Sequence, residues 1–137
     1  MALSFLLDTS VLKRLGQSEV RAVVEPLMAT GRLGRPGICD LEAGYSARNA
    51  DEWDRLLQAL DAFERVETTA QHVRRALQVQ RLLALESRRG RKIPDLLVAA
   101  AAEQLDIAVL HYDSDFDVIA SITGQRCQWV VAAGSVD

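Results

Sequence analysis

An α/β domain built on a parallel sheet is the fold this chain predicts, and three observations carry it. Phe5-Leu6-Leu7, Ile107-Ala108-Val109-Leu110-His111 and Cys127 to Val131 are short apolar runs of strand length, and the last two read as strands covered on both faces. Between the first run and the others, apolar residues recur at helical spacing. Strands alternating with helices imply a parallel sheet. At 137 residues, 49% hydrophobic and 26% charged, the chain can bury an ordinary core and predicts a single domain over 1–137.

The elements follow in order. The residues before Asp8 are apolar but carry no basic leader, so they read as a strand rather than a signal peptide. Val20, Val23, Val24, Leu27 and Met28 keep helical spacing after a cap at Ser18, Pro26 should kink that helix, and Gly31 stops it. Gly34 to Ile38 reads as a short strand or extended turn leading to a helix that carries Glu42 and Tyr45. A further helix begins near Asp51 and displays Trp53, Leu56, Leu57, Leu60 and Phe63 on one side. The next opens at the capping box Thr68-Thr69-Ala70-Gln71, runs through Val73, Leu77, Leu83 and Leu85, and ends before Gly90. Pro94 suits a first helical turn, and Leu96 to Ala102 is apolar on nearly every side, as in a helix buried all round. No run approaches the roughly 18 apolar residues of a membrane span. Cys39 and Cys127 are too few and too far apart for a disulfide framework or a zinc site, and read as reduced core thiols of a cytoplasmic protein.

Acids punctuate these elements at Asp8, Glu42, Asp95, Asp113 and Asp115. Ligands of an open parallel sheet sit beyond the C-terminal strand ends, where Asp8 and Asp113 fall, and Asp95 and Glu42 lie in helix starts that can face the same edge. Their surroundings read as too apolar to supply matching lysines or arginines, and a buried carboxylate without a counter-charge costs several kcal/mol. Mg²⁺, or Mn²⁺ in its place, prefers oxygen ligands and relieves the repulsion. Such ions with open coordination positions serve phosphodiester hydrolysis by activating water. The net charge of −3 argues against non-specific coating of nucleic acid, yet Arg74 to Lys92 holds seven basic residues and one acid, whereas Ile93 to Asp117 holds six acids and no Lys or Arg. Arg88, Arg89, Arg91 and Lys92 therefore read either as the basic end of a helix or as a cationic approach for a polyanion.

Phe5-Leu6-Leu7-Asp8-Thr9-Ser10-Val11-Leu12, Asp40-Leu41-Glu42, Ile93-Pro94-Asp95-Leu96 and the residues to Ala101, and His111-Tyr112-Asp113-Ser114-Asp115-Phe116-Asp117 together resemble the PIN-domain ribonucleases, specifically the VapC toxins of toxin-antitoxin pairs. The resemblance covers nearly the whole chain. It implies a PIN-like domain, a central parallel β-sheet flanked by α-helices on both faces. It also implies a Mg²⁺-dependent endoribonuclease that forms homodimers and is inhibited by a small VapB-like antitoxin, whose C-terminal segment occupies a groove near the acids. On that resemblance Asp8, Glu42, Asp95 and Asp113 match the catalytic and metal-binding quartet. Asp115 matches an additional acid near the metal, and Ser10 a hydroxyl that supports the first Asp.

Taken singly, the acids have plainer readings: Asp8 as a helix N-cap, Asp95 as a first-turn acid, Glu42 as a solvated helix residue, Asp40 as a cap and Asp117 as surface charge. The stretch from Asp113 to Asp117 is not a calcium loop, since Val118 and Gly124 stand where that loop needs glycine and glutamate. Trp53, Phe63, Phe116 and Trp129 read as core or dimer contacts, and Tyr45 and Tyr112 as candidates for RNA contact. Two other functions compete. A phosphoacceptor signalling domain wants an acidic pair after the first strand, where this chain has Asp8-Thr9, and a late lysine, yet nothing basic lies between Ile93 and Gln125. A non-catalytic binding module would use the acids to hold a structural cation and the Arg74-to-Lys92 face to dock a protein.

Overall fold

The computed structural model describes residues 2–137. Strand β1 (Phe5–Leu7) is followed by α1 (Thr9–Leu12) and α2 (Ser18–Ala29), then β2 (Leu33–Pro36), α3 (Gly37–Tyr45), α4 (Ala50–Leu60) and β3 (Glu64–Val66). After these come α5 (Ala70–Leu85), α6 (Ile93–Leu105), β4 (Ala108–His111), α7 (Asp115–Thr123) and β5 (Cys127–Trp129). The strands form one five-stranded sheet in the order β3-β2-β1-β4-β5, parallel at every pairing. From β1 the chain builds outward through β2 to β3, then returns to place β4 on the other side of β1. The strand order therefore reverses between β1 and β4, which opens a crevice beyond their C-terminal ends.

The two-residue period of a strand sends neighbours to opposite faces. Leu6 and Val109 enter a core shared with α3, α5, α6 and α7, whereas Leu7 and Leu110 enter one shared with α1 and α2. Helices thus cover both faces of the sheet. Helix α6 buries Leu96 and the whole run Val98–Ala102, consistent with its apolar character all round. In α4, Trp53 packs on α3 because residue 44 is glycine: a Cβ there would fall 2.5 Å from the indole Nε1.

Several elements depart from the sequence reading. Strand β3 is not announced by periodicity, since Glu64 and Arg65 are exposed on a sheet edge and no apolar alternation marks them. Strand β5 is likewise an edge, with Gln128 exposed and Cys127 and Trp129 half-buried, so it is not covered on both faces. Of the expected α5 stripe, Val73, Leu77 and Leu85 face solvent at 45, 59 and 66% exposure, and Leu83 is buried. Its buried face is His72, Ala76, Val79 and Leu83. The α5 capping box lies one residue later than expected: Thr69 Oγ1 accepts the His72 N–H and His72 Nδ1 accepts the Thr69 N–H. Helix α2 begins at Ser18 with Gln17 as its cap, and continues through Pro26.

Among the described residues no helix is long and apolar enough to cross a membrane. Both cysteines are free. Cys39 is fully buried, as expected, but Cys127 is only half-buried because β5 is an edge strand. Burial pushes both thiols up, that of Cys127 to about 12.

Candidate metal centre

The crevice between β1 and β4 collects acids from four starting points. Asp8 ends β1 and caps α1, its Oδ2 accepting the Ser10 backbone N–H at 3.0 Å. Asp113 follows β4, and Asp115 lies in the first turn of α7. Helix α6 runs back toward the start of β4, so its own N-terminus is at the same edge, with Asp95 in the first turn behind Pro94. The dipoles of α6 and α7 favour anions there.

Asp95, Asp113 and Asp115 each offer a carboxylate oxygen within 4.8 Å of the others. Asp95 is the buried member, and its Oδ2 has no hydrogen-bond partner. Burial, and then the charge of Asp8, push its carboxyl up to about 8; Lys92 opposes this, and Asp113 and Asp115 add to it. Asp113 feels burial too, yet the Lys92 hydrogen bond and the Asp115 N–H, donated to Oδ1 at 2.9 Å, hold it below the ordinary carboxylate range. The two carboxyls are therefore driven in opposite directions within one site.

The centre is not free of basic residues, contrary to the expectation from its apolar neighbours. Lys92 Nζ donates to Asp113 Oδ2 and lies 3.7 Å from Asp95 and 3.8 Å from Asp115. The bond to Asp113 pushes Lys92 up to about 12. Arg91 Nη1 donates to Asp115 Oδ1 at 2.8 Å. Arg88 donates to Ser121 Oγ at 3.1 Å, and Arg89 is exposed. Of the four basic residues expected to form a cationic approach, two are thus turned onto the acids.

Glu42 stands apart from the triad, half-buried on α3, where it accepts the Thr9 hydroxyl at 2.8 Å. The hydroxyl that touches an expected acid is thus that of Thr9. Ser10 reaches Asp8 only through its backbone, while its Oγ accepts the Tyr112 N–H at 2.9 Å and ties α1 to the end of β4. Asp40 is no cap: it pairs with Arg35 at 2.9 Å. Asp117 accepts the Trp129 indole N–H at 3.1 Å. Tyr112 is buried with its hydroxyl donating to Val136 O, which removes it from RNA contact, whereas Tyr45 is 92% exposed.

His111 is a participant that sequence reasoning passes over. Fully buried between Phe116 and Trp129, it accepts the Asp113 N–H at Nδ1, 3.2 Å away, and so fixes the turn that carries Asp113. Burial lowers its pKa, which keeps the imidazole neutral. Its place at the end of β4, two residues before an acid, is the signal that could have found it.

The donor set is all oxygen, with neither His nor Cys in the triad, and Asp95 keeps one buried carboxylate oxygen without a hydrogen-bond partner. Those features fit Mg²⁺ or Mn²⁺. The PIN domain model matches residues 5–122 of this sequence. The chain belongs to the PIN-domain family. This PIN domain is 62% identical to Ribonuclease VapC51 of Mycobacterium tuberculosis, over the full length of both chains. It is 44% identical to Ribonuclease VapC21 of the same species, over 98% of this chain and 99% of the relative. Its fold superposes on the DNA-bound VapBC structure from Salmonella typhimurium with a TM-score of 0.76 at 19% identity, covering 94% of this chain and 99% of that one. VapBC2 from Rickettsia felis, bound to a promoter DNA fragment, gives a TM-score of 0.76 at 15% identity, over 93% of this chain and 98% of that one. The PIN-like architecture anticipated from the motifs is the one observed, and this PIN domain is a VapC protein by full-length similarity.

Proposed function

We propose that this VapC protein is a Mg²⁺-dependent endoribonuclease, the toxin of a toxin-antitoxin pair, acting on RNA in the cytoplasm. The observation that carries the proposal is the triad Asp95, Asp113 and Asp115, in which the buried Asp95 Oδ2 has no hydrogen-bond partner. Asp95, Asp113 and Asp115 would hold the ion, with Asp8 beside Asp95 adding negative charge. Glu42, held by Thr9, completes the acidic rim. The chemistry a bound Mg²⁺ supplies is activation of water and stabilisation of charge at a phosphodiester. The chain's own side chains provide the frame: His111 orients the Asp113 turn, and Arg91 holds Asp115 from the side. The Cys39 thiol is buried and held well above neutrality, so it offers no thiolate at this edge. Arg88, on the loop ahead of α6, would supply positive charge for a polyanion.

Two protein partners belong to the proposal. An apolar groove lined by Leu12, Leu15, Ala43, Leu56 and Ala59 opens beside Glu42 and suits an antitoxin segment reaching toward the acids. A second copy of the chain would cover exposed apolar residues such as Leu41 and Tyr45. Light scattering of the chain alone, and with a VapB-like protein, measures both associations.

The test of activity is cleavage of total RNA with Mg²⁺, set beside EDTA and Asp95→Asn. Cleavage in Mg²⁺ alone is expected. Equal cutting in all three would sink the proposal, and metal binding without any RNA cleavage would favour the non-catalytic binding module.

A further inference from the structure

The Lys92 ammonium neutralises the carboxylates and also stands in their way. We propose that it is a resident counter-cation of the ion-free centre, which a divalent ion must expel before binding, so that Lys92 sets the affinity of the centre. The inference rests on the metal-centre reading above.

Lys92 Nζ touches the same three side chains whose oxygens converge: it donates to Asp113 and lies 3.7 Å from Asp95 Oδ2 and 3.8 Å from Asp115 Oδ2. A small dication takes carboxylate oxygens at about 2.0–2.1 Å and would therefore occupy the space into which the ammonium reaches. Two cations crowded into one partly buried pocket repel, so occupancy is exclusive. Asp95 supplies the second observation. Its side chain is only 6% exposed, and its Oδ2 has no hydrogen-bond partner even though Lys92 is near. The ammonium thus lowers the charge of the centre without saturating its donors, which leaves a better ligand able to displace it.

Lys92 is also placed to leave. It is the N-cap of α6, with no side-chain capping bond, and its side chain is 59% exposed. The head can withdraw into water without disturbing the helix. Arg91 has no need to move, because it holds Asp115 through Oδ1 and is half-buried.

Calorimetric titration of Mn²⁺ into the intact chain tests this, using wild type, Lys92→Met, Arg89→Met and Asp95→Asn, with Tm recorded with and without the ion. Arg89→Met makes the same change in charge on an exposed side chain outside the centre. Lys92→Met is expected to tighten Mn²⁺ by about tenfold or more, the range of an ordinary coupling between competing ligands. It should also widen the rise in Tm on adding Mn²⁺, since its ion-free acids lack their counter-charge. Arg89→Met should stay within about twofold, as a solvated, screened charge does. Unchanged or weaker binding in Lys92→Met overturns the proposal, as does equal tightening in both variants, which would reduce it to net charge. Should Lys92→Met fold poorly, Lys92→Gln carries the same expectation. Wild-type-like binding by Asp95→Asn would instead bring down the metal-centre reading itself. Loss of binding in Asp95→Asn with no gain in Lys92→Met removes only the role of Lys92.

Discussion

Asp40 and Asp95 are both acids in apolar company near the C-terminal edge of one sheet, and the fold treats them in opposite ways. Asp40 is met by Arg35, whose Nε lies 2.9 Å from Oδ1. The same guanidinium donates to the Leu60 and Phe63 carbonyls, so little of the pair's bonding capacity is left over. Asp95 is met by a mostly exposed lysine that stops 3.7 Å from Oδ2, and that buried oxygen has no hydrogen-bond partner. Completeness of compensation separates an acid that holds the fold from one available to a ligand. A structural pair closes on itself, whereas a site is left open and relies on something that arrives later.

The largest effect that could break the comparison lies on the closed side. Asp40→Ala strands the buried Arg35 guanidinium and is expected to lower stability by about 3–5 kcal/mol, measured by urea unfolding, with Mn²⁺ affinity unaltered. On the open side, Asp95→Asn should reduce single-turnover RNA cleavage by about 100-fold or more while the ion-free protein becomes more stable. Destabilisation by Asp95→Asn like that of Asp40→Ala would erase the distinction.

The pH dependence sharpens it further. Asp95 is pushed up from the ordinary 3.8 to about 8 in the folded chain. The folded state therefore binds its proton more tightly, and that stabilisation is complete below about pH 4 and lost as pH rises toward 8. The expected slope is a fall of up to about 1.4 kcal/mol per pH unit within that window, followed by urea unfolding in EDTA. Asp113, held low, acts in the opposite sense, its contribution disappearing only in acid. Asp95→Asn should flatten the slope between these limits. The smallest expected effect is at Ser10→Ala, which leaves the Tyr112 N–H without its acceptor and costs about 1 kcal/mol without a change in Mn²⁺ affinity.

How far these contrasts were legible in the chain depends on their range. Strands β1 and β4 announce themselves because apolar runs buried on both faces need no partner to be recognised, and the acids that follow them inherit that clarity. Hydrophobicity picks out only Leu83 of the inward face of α5, because that face also contains His72 and Ala76, while the more hydrophobic Leu77 and Leu85 face solvent. Strand β3 escaped because edge strands carry charge. The partner of Asp113 was hidden for another reason: Lys92 lies 21 residues away, and only the placement of α6 against β4 brings them together. Sequence position marked the acids of this edge, but the counter-charges depend on tertiary geometry. The same limit concealed the Arg35–Asp40 pair and the Thr9 bond to Glu42.

The central claim is that the open acids form a cation centre, and anomalous scattering from crystals grown with Mn²⁺ tests it most directly. The expected result is a manganese peak within ligand distance of Asp95, Asp113 and Asp115, with the Lys92 ammonium withdrawn. A lysine still seated on Asp113 with no manganese at this edge of the sheet would contradict the account.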